Sequence, residues 1–244
     1  TANITPKALT VSGTTVANKV YNANTVASVS GGALVGLISS DLANVTLIQA
    51  GTFSSANAAN GIGIVINDTI SGSASSNYTL VQPVATSASI TPKALTVTGT
   101  SAANKTYDST TSATISGGSL VGVVAGDTVT LTQAGAFSSA NVGSAIPVTI
   151  ADSIGGASAS NYTLTQPGTV TADITAKAVT ISGLSAVNKV YNATNTATIS
   201  GTPTVVGLIG SDTATLSGTV TAGTFAQADA GTAITVTPTL SGLS

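Results

Sequence analysis

The feature that most limits what this chain can fold into is a threefold internal repeat. "ITPKALTV" at residues 4–11 returns unchanged at 90–97 and as "ITAKAVTI" at 174–181. "NKVYNA" stands at 18–23 and 188–193, with "NKTYDS" between them at 104–109, and "SNYTL" occurs at 76–80 and 160–164. A period of roughly 85 residues is that of one small domain written three times. The boundaries read as the tail of a preceding repeat at 1–4, then repeats at 5–90, 91–174 and 175–244, the third truncated. Because "TANI" at the start matches "TADI" at 171–174, the chain is expected to be a window from a longer array, cut out of phase with its domains.

Every aromatic residue obeys the repeat. Tyr21, Tyr107 and Tyr191 form one set, Phe53, Phe137 and Phe225 a second, and Tyr78 and Tyr162 a third. A domain with so few rings needs each of them to fill its core, so all eight read as structural core anchors. The lysines fall on two repeat positions, Lys7, Lys93 and Lys177 on one and Lys19, Lys105 and Lys189 on the other, equally separated in each copy. The first of these, with the residue before it, marks the joint between repeats: Pro6 and Lys7, Pro92 and Lys93, Ala176 and Lys177. Proline fixes φ and restricts its predecessor, so these joints should be short and extended, with Ala176 leaving the third looser.

Asp41, Asp127 and Asp212 follow the first tyrosine set at a nearly constant distance, and read as turn residues before a strand. Thr alternates with Val or Leu in "TVTL" and "ALTVT", the period of a strand with one wet face. In the second repeat strands are expected at 94–98, 112–116, 119–124, 127–133, 145–151, 161–166 and 169–174, separated by Gly-Gly, Asn and Gly-Asp turns. The fold class is therefore all-β: tandem domains of about 85 residues, each a small β-sandwich or β-grasp-like roll, arranged as an elongated rod. Any helix should be a short one, in "SSANVG" or "SAANK". Residues 92–175 should fold alone, and a piece beginning at Tyr107 should not.

The motifs "ITPKALTVTG", "NKTYDST", "GDTVTL", "GAFSSANVG" and "NYTLTQP" of the second repeat resemble the YDG-type repeats of large bacterial surface and secreted proteins, filamentous-haemagglutinin-like adhesins among them. The resemblance covers essentially the whole chain. It implies an extracellular or cell-surface β module that forms arrays, and it brings no catalytic residues. The chain departs from the family at its eponymous triplet, which reads "YNA" at 21–23, "YDS" at 107–109 and "YNA" at 191–193. The tyrosine persists while the acid and the glycine do not.

Other residues narrow the function. His and Cys are absent, no acids pair at a catalytic spacing, and no Gly-rich loop precedes a helix, so the chain is not expected to be an enzyme or to carry a cofactor. The eight Asp are scattered without a D-x-D-x-D run, so no metal is expected. A net charge of −2 offers no footprint for nucleic acid, and no run of residues is apolar enough to span a membrane. The recurring Lys, Asn and Asp leave an intramolecular isopeptide bond open, and "NVT", "NDT" and "NYT" fit the glycosylation pattern. The expected function is a structural stalk or fibre segment of a large exported bacterial adhesin or matrix filament. Its partners would be further copies of the same repeat, with exposed β edges able to associate laterally. The alternatives are a multivalent glycan- or surface-binding module, which needs an exposed tyrosine in a groove, and a surface-layer or self-assembling fibre subunit.

Overall fold

The structure, a computed structural model, describes residues 1–240. It is all-β, as the alternation of Thr with Val and Leu requires. Each complete repeat uses its strands in two groups. In the first repeat, strand Lys7–Ser12 lies between Tyr78–Val81, its parallel neighbour, and Ala33–Val35, its antiparallel one. The remaining long strands form a sheet in the order Lys19–Val20, Thr86–Thr91, Ala59–Ile66, Gly51–Phe53, Val26–Ala27. We call the first group the head sheet and the second the tail sheet. Strand Ala59–Ile66 shows why the tail sheet packs on one face only: Ile62, Ile64 and Ile66 point inward and alternate with exposed Gly63 and Val65.

The chain divides into two compact units whose boundaries ignore the repeats. The first comprises Thr1–Ala102, Ala113–Ala136 and Val148–Val170; the second comprises Ala103–Ser112, Phe137–Pro147 and Thr171–Ser244. The first unit thus contains all of repeat 1 together with the head sheet of repeat 2, in which Lys93–Thr98 lies between Ser119–Val121 and Tyr162–Thr165. Its main core joins the two. Tyr21, Phe53, Ile64 and Ile90 of repeat 1 share one buried cluster with Leu95 and Tyr162 of repeat 2. A smaller cluster of Leu9, Val45 and Tyr78 fills the head of repeat 1. A piece spanning 92–175 therefore takes Leu95 and Tyr162 away from the residues that bury them, and the expectation that it folds alone has to be set against this shared core.

In the second unit, Ile174 and Thr175 pair in parallel with Lys105 and Thr106. Thr180–Ser182 pairs with Thr204–Val206. Strands Ser185–Ala186, Thr196–Ser200, Ala222–Phe225 and Val236–Pro238 make a four-stranded sheet.

Several strands of the second repeat fall where the alternation put them. Gly135–Phe137 and Ser153–Gly155 do not, being too short to show a period. Among the described residues, helical structure is confined to 3-10 turns at Ser39–Asp41, Ser75–Asn77 and Ala159–Asn161. None of these lies in "SSANVG" or "SAANK", where a short helix was expected. No helix is long and apolar enough to cross a membrane among the described residues.

Two devices fix the turn before Tyr78 and Tyr162. Gln82 brackets Asp68, accepting from its backbone N–H at 2.9 Å and donating to its carbonyl at 2.8 Å, and Gln166 does the same for Asp152. This is the work of the glutamine in "NYTLxQP". Gly156 then turns the chain at φ +103°, and a Cβ there would sit 2.5 Å from the Thr128 carbonyl oxygen. Gly156→Ala is expected to destabilise the chain by about 2 kcal/mol, from positive φ and contact together. Thermal melting checks this; an unchanged midpoint would show that the turn relaxes freely.

Candidate functional site

The candidate site is the joint between repeats, and the sequence "NKxY" supplies three of its parts. The asparagine secures the strand that ends a repeat. Asn18 Oδ1 accepts from the backbone N–H of Ser89 at 2.7 Å, where the register of Thr86–Thr91 shifts against Ala59–Ile66. Asn104 does the same for Asp173 at 2.8 Å.

The lysine holds down the loop that follows. Lys105 Nζ donates to the carbonyls of Thr110 and Ser112 and to Asp108 Oδ1, the last at 2.7 Å. Lys189 reaches Thr194, Thr196 and Asn192 in the same way, and Lys19 reaches Asn24 and Val26. Each ammonium also lies over a phenylalanine ring: Lys19 over Phe53 at 5.2 Å, Lys105 over Phe137 and Lys189 over Phe225, both at 5.4 Å. Such a contact adds about 0.5–1 kcal/mol where water still has access.

The tyrosine makes the joint itself. The Tyr21 ring is buried, edge-on to Tyr162 of the next repeat, with ring centres 5.3 Å apart and planes at 76°. Its hydroxyl donates to both carboxylate oxygens of Asp127, at 2.9 and 3.1 Å. The Tyr162 hydroxyl donates to the same carboxylate and accepts from the backbone N–H of Val124. Beside them Asn161, also buried, accepts from the Ala58 N–H at 2.8 Å and donates to Asn57. An edge-to-face pair is worth about 0.5–1.5 kcal/mol beyond its buried area, and a hydrogen bond to a charged group about 1.5–3 kcal/mol. The hydroxyls of Tyr162 and Tyr21 hold the Asp127 carboxyl below its usual range, while burial and then Asp127 push the Tyr21 hydroxyl up to about 12.

The second unit repeats the contact between Tyr107 and Asp212, at 3.3 Å. Tyr78 and Asp41 form the corresponding pair in the first repeat. The Tyr78 hydroxyl donates to Asp41 at 2.7 Å and accepts from the Ile38 N–H.

The expected core anchors therefore divide. Tyr21, Phe53, Tyr78, Phe137 and Tyr162 are buried. Tyr107 and Phe225 are half-buried. Tyr191 corrects the expectation: it is 60% exposed. Tyr21 and Tyr107 meet acids that lie a whole repeat further on, Asp127 and Asp212, whereas Tyr191 lines an open groove with Lys189 and Ile234.

The expected joint residues are Pro6, Lys7, Pro92, Lys93, Ala176 and Lys177. Lys7 and Lys93 open strands whose first four residues pair with a parallel neighbour. In the third repeat Ala176 and Lys177 precede the strand, which starts only at Thr180.

Sequence reasoning missed the pairing of Asp127 with tyrosine and the part played by Asn161. The near-constant spacing from tyrosine to aspartate was the available signal. Asp41, Asp127 and Asp212, the acids considered for an isopeptide bond, meet Tyr78, Tyr21 and Tyr107, whereas Lys19, Lys105 and Lys189 meet Asn24, Asp108 and Asn192. Among the described residues no group of three or more His, Cys, Asp or Glu stands together. Burial also removes Asn161 from the glycosylation candidates, while its counterpart Asn77 is exposed.

The YDG domain family matches three times, at residues 5–87, 91–171 and 175–244. The chain belongs to the YDG domain family. Comparison with curated proteins and with solved structures returned no match.

The YDG triplet now has a physical reading. Asp108, the one acid in the triplets, pairs with Lys105, which with Thr110 holds its carboxyl down to about 2. The glycine position keeps a glycine's conformation without the glycine: Ala23, Ser109 and Ala193 stand at φ 60°, 61° and 61°. A Cβ in that region costs about 1–2 kcal/mol.

Ser109→Gly is thus expected to raise stability by about 1 kcal/mol, part of the relief being lost to the unfolded chain's entropy. Denaturant titration checks it, and a loss of stability would refute the strain argument.

The tyrosine joint also sets a pH dependence. With the Tyr21 hydroxyl at about 12 in the folded chain, the unfolded chain releases that proton first, near pH 10. Stability present below that pH is then lost as the pH rises toward the folded value. Tyr21→Phe should flatten the fall in melting temperature across this range and cost about 1 kcal/mol at neutral pH. An unaltered alkaline limb would remove Tyr21 from the cause.

Proposed function

We propose that this chain is a structural stalk or fibre segment of a large exported bacterial adhesin or extracellular matrix filament. Its task is to set distance and direction, and it carries out no chemistry. The observation that supports this reading most is the shared core. Tyr21, Phe53 and Ile90 of one YDG repeat are buried with Leu95 and Tyr162 of the next, so consecutive repeats are packed to each other and not merely tethered. A module evolved to work singly has no need to commit its largest side chains to its neighbour. The roles of Asn18, Lys19 and Tyr21 agree with this, since all three are occupied by packing and hydrogen bonds within the array.

The buried Tyr21 ring counts against a sugar-stacking platform repeated in every copy. The scarcity of charge suits a surface on which neighbouring chains lie close without repulsion.

Antibody raised against this chain should label intact, unpermeabilised cells of the source organism, or filaments shed from them. The recognised polypeptide should be far larger than 23.3 kDa. Labelling that appears only after the cells are opened would overturn the reading.

A further inference from the structure

In repeat 1, residues 15–20 serve both ends of the tail sheet. Thr15 and Val16 pair antiparallel with Ser30 and Val29, and the Ala17 N–H donates to the Ser28 carbonyl at 3.1 Å. Lys19 and Val20 then leave this partner and run beside Ile90 and Thr91, at the other end of the sheet. The sheet therefore comes round to meet itself, with a seam where the backbone departs. Strand Val26–Ala27 borders that seam as the last in the sheet. Thr25 bonds inward, its carbonyl accepting from the Phe53 N–H at 2.7 Å. The alternation of an antiparallel ladder then turns the N–H and C=O of Val26 outward, into the seam.

A lysine side chain takes the place of the departed backbone. Carried on in register, the ladder that sets Thr15 opposite Ser30 would set Lys19 opposite Val26. Lys19 Nζ donates to the Val26 carbonyl at 3.1 Å and to the Asn24 carbonyl at 2.6 Å. Its third proton goes to Asn24 Oδ1 at 2.8 Å, and that oxygen also accepts from the Val26 N–H at 3.1 Å. Both outward groups of Val26 are thus occupied.

The other copies do the same. The pairing of Ser101 with Ser116 leads in register to Lys105 opposite Ser112, and that of Ser185 with Ser200 to Lys189 opposite Thr196. Lys105 Nζ donates to the Ser112 carbonyl at 3.1 Å, and Lys189 Nζ to the Thr196 carbonyl at 3.0 Å. The Thr111 and Asn195 carbonyls accept from the N–H groups of Phe137 and Phe225, so Ser112 and Thr196 face outward as Val26 does. Beneath each ammonium lies the ring of Phe53, Phe137 or Phe225. Without the lysine, each seam would present free strand carbonyls above an apolar floor. Those are the features by which an exposed edge accepts a further strand.

We propose that Lys19, Lys105 and Lys189 are edge guards, each closing its tail sheet against the addition of a strand from a second copy of this chain. The partner excluded is the same edge of that copy, because an antiparallel edge pairs with its own image about a two-fold axis. The ammonium suits the task on two counts. Its protons occupy the carbonyls that the N–H groups of an incoming strand would need, and its charge resists burial between two sheets. In an array of near-identical repeats the edge of any repeat fits the edge of any other, and all are held at high local concentration. The guard lets consecutive repeats pack through their tyrosine joints while their tail edges stay closed to one another.

Sedimentation of the 244-residue chain and its variants across a concentration series tests this. Lys19→Met keeps the length of the side chain and removes its protons and charge. It is expected to reach twice the mass of the wild-type species as concentration rises, with slowed hydrogen exchange at the Asn24 and Val26 amides. Lys19→Arg, which keeps donors and charge, should sediment as the wild type does. The double variant Lys19→Met, Lys105→Met opens two edges and should run on past the dimer. A Lys19→Met chain that keeps its β circular dichroism and sediments as the wild type overturns the proposal. So does association equal in the Arg and Met variants, or association that leaves exchange at Asn24 and Val26 unchanged. Should Lys19→Met fail to fold, Lys105→Met makes the same test at Thr110 and Ser112. Loss of the fold in both would make the lysine a folding requirement and overturn its part as a guard. None of these outcomes bears on cell-surface labelling, so the structural reading stands or falls separately.

Discussion

The packing of the Tyr21 ring against Tyr162, with Asp127 taking both hydroxyls, is the contact on which the rest of the first unit depends. A repeat of this size buries too little of its own surface to be secure, and this composition offers few large side chains to improve matters. Sharing a core across the sequence boundary answers the shortage. The two rings join Leu95 and Ile90 in one cluster, and the carboxylate gives two buried hydroxyls an acceptor that water can no longer provide. Without the carboxylate the rings would bring unpaired polar groups into the core. Without the rings the head and tail sheets would each leave an apolar face uncovered.

The same shortage explains why lysine is kept where charge is otherwise nearly absent. A loop of small polar residues cannot fold over a phenylalanine by burial alone. The Lys105 ammonium gathers the carbonyls of Thr110 and Ser112 and lies on the Phe137 ring. One side chain then does what several hydrophobic contacts do in a larger domain. The accompanying strain falls on the left-handed residue next to Asp108, a serine here and an alanine in its two sister loops.

Much of this could be read from the residues. The period, the all-β class and the longer strands follow from Thr-Val alternation and from the return of "ITPKALTV". The prominence of Tyr21 and Phe53 follows from their scarcity. What could not be read was the partner of each ring. A tyrosine that precedes an aspartate in every copy looks like half of a local pair, yet Tyr21 passes over Asp41 to reach Asp127, and Asp41 belongs to Tyr78. Spacing cannot separate the two possibilities, because every repeat offers the same residues in the same order. Only the three-dimensional exit direction of Thr86–Thr91 and Lys93–Thr98 chooses between them. The exposed Tyr191 and the half-buried Phe225 were hidden for the same reason: identical letters acquire different surroundings from copy to copy.

One detail of the head sheet has a mechanical meaning. The strand that opens a repeat, Lys7–Ser12, and one near its end, Tyr78–Val81, are parallel neighbours. A tug that draws residue 7 backward and residue 81 forward slides these strands along each other. Their slanted hydrogen bonds are then strained together instead of being opened one at a time from an end. Tension along the polypeptide thus meets the repeat in shear, the direction in which a short pair of strands gives way last.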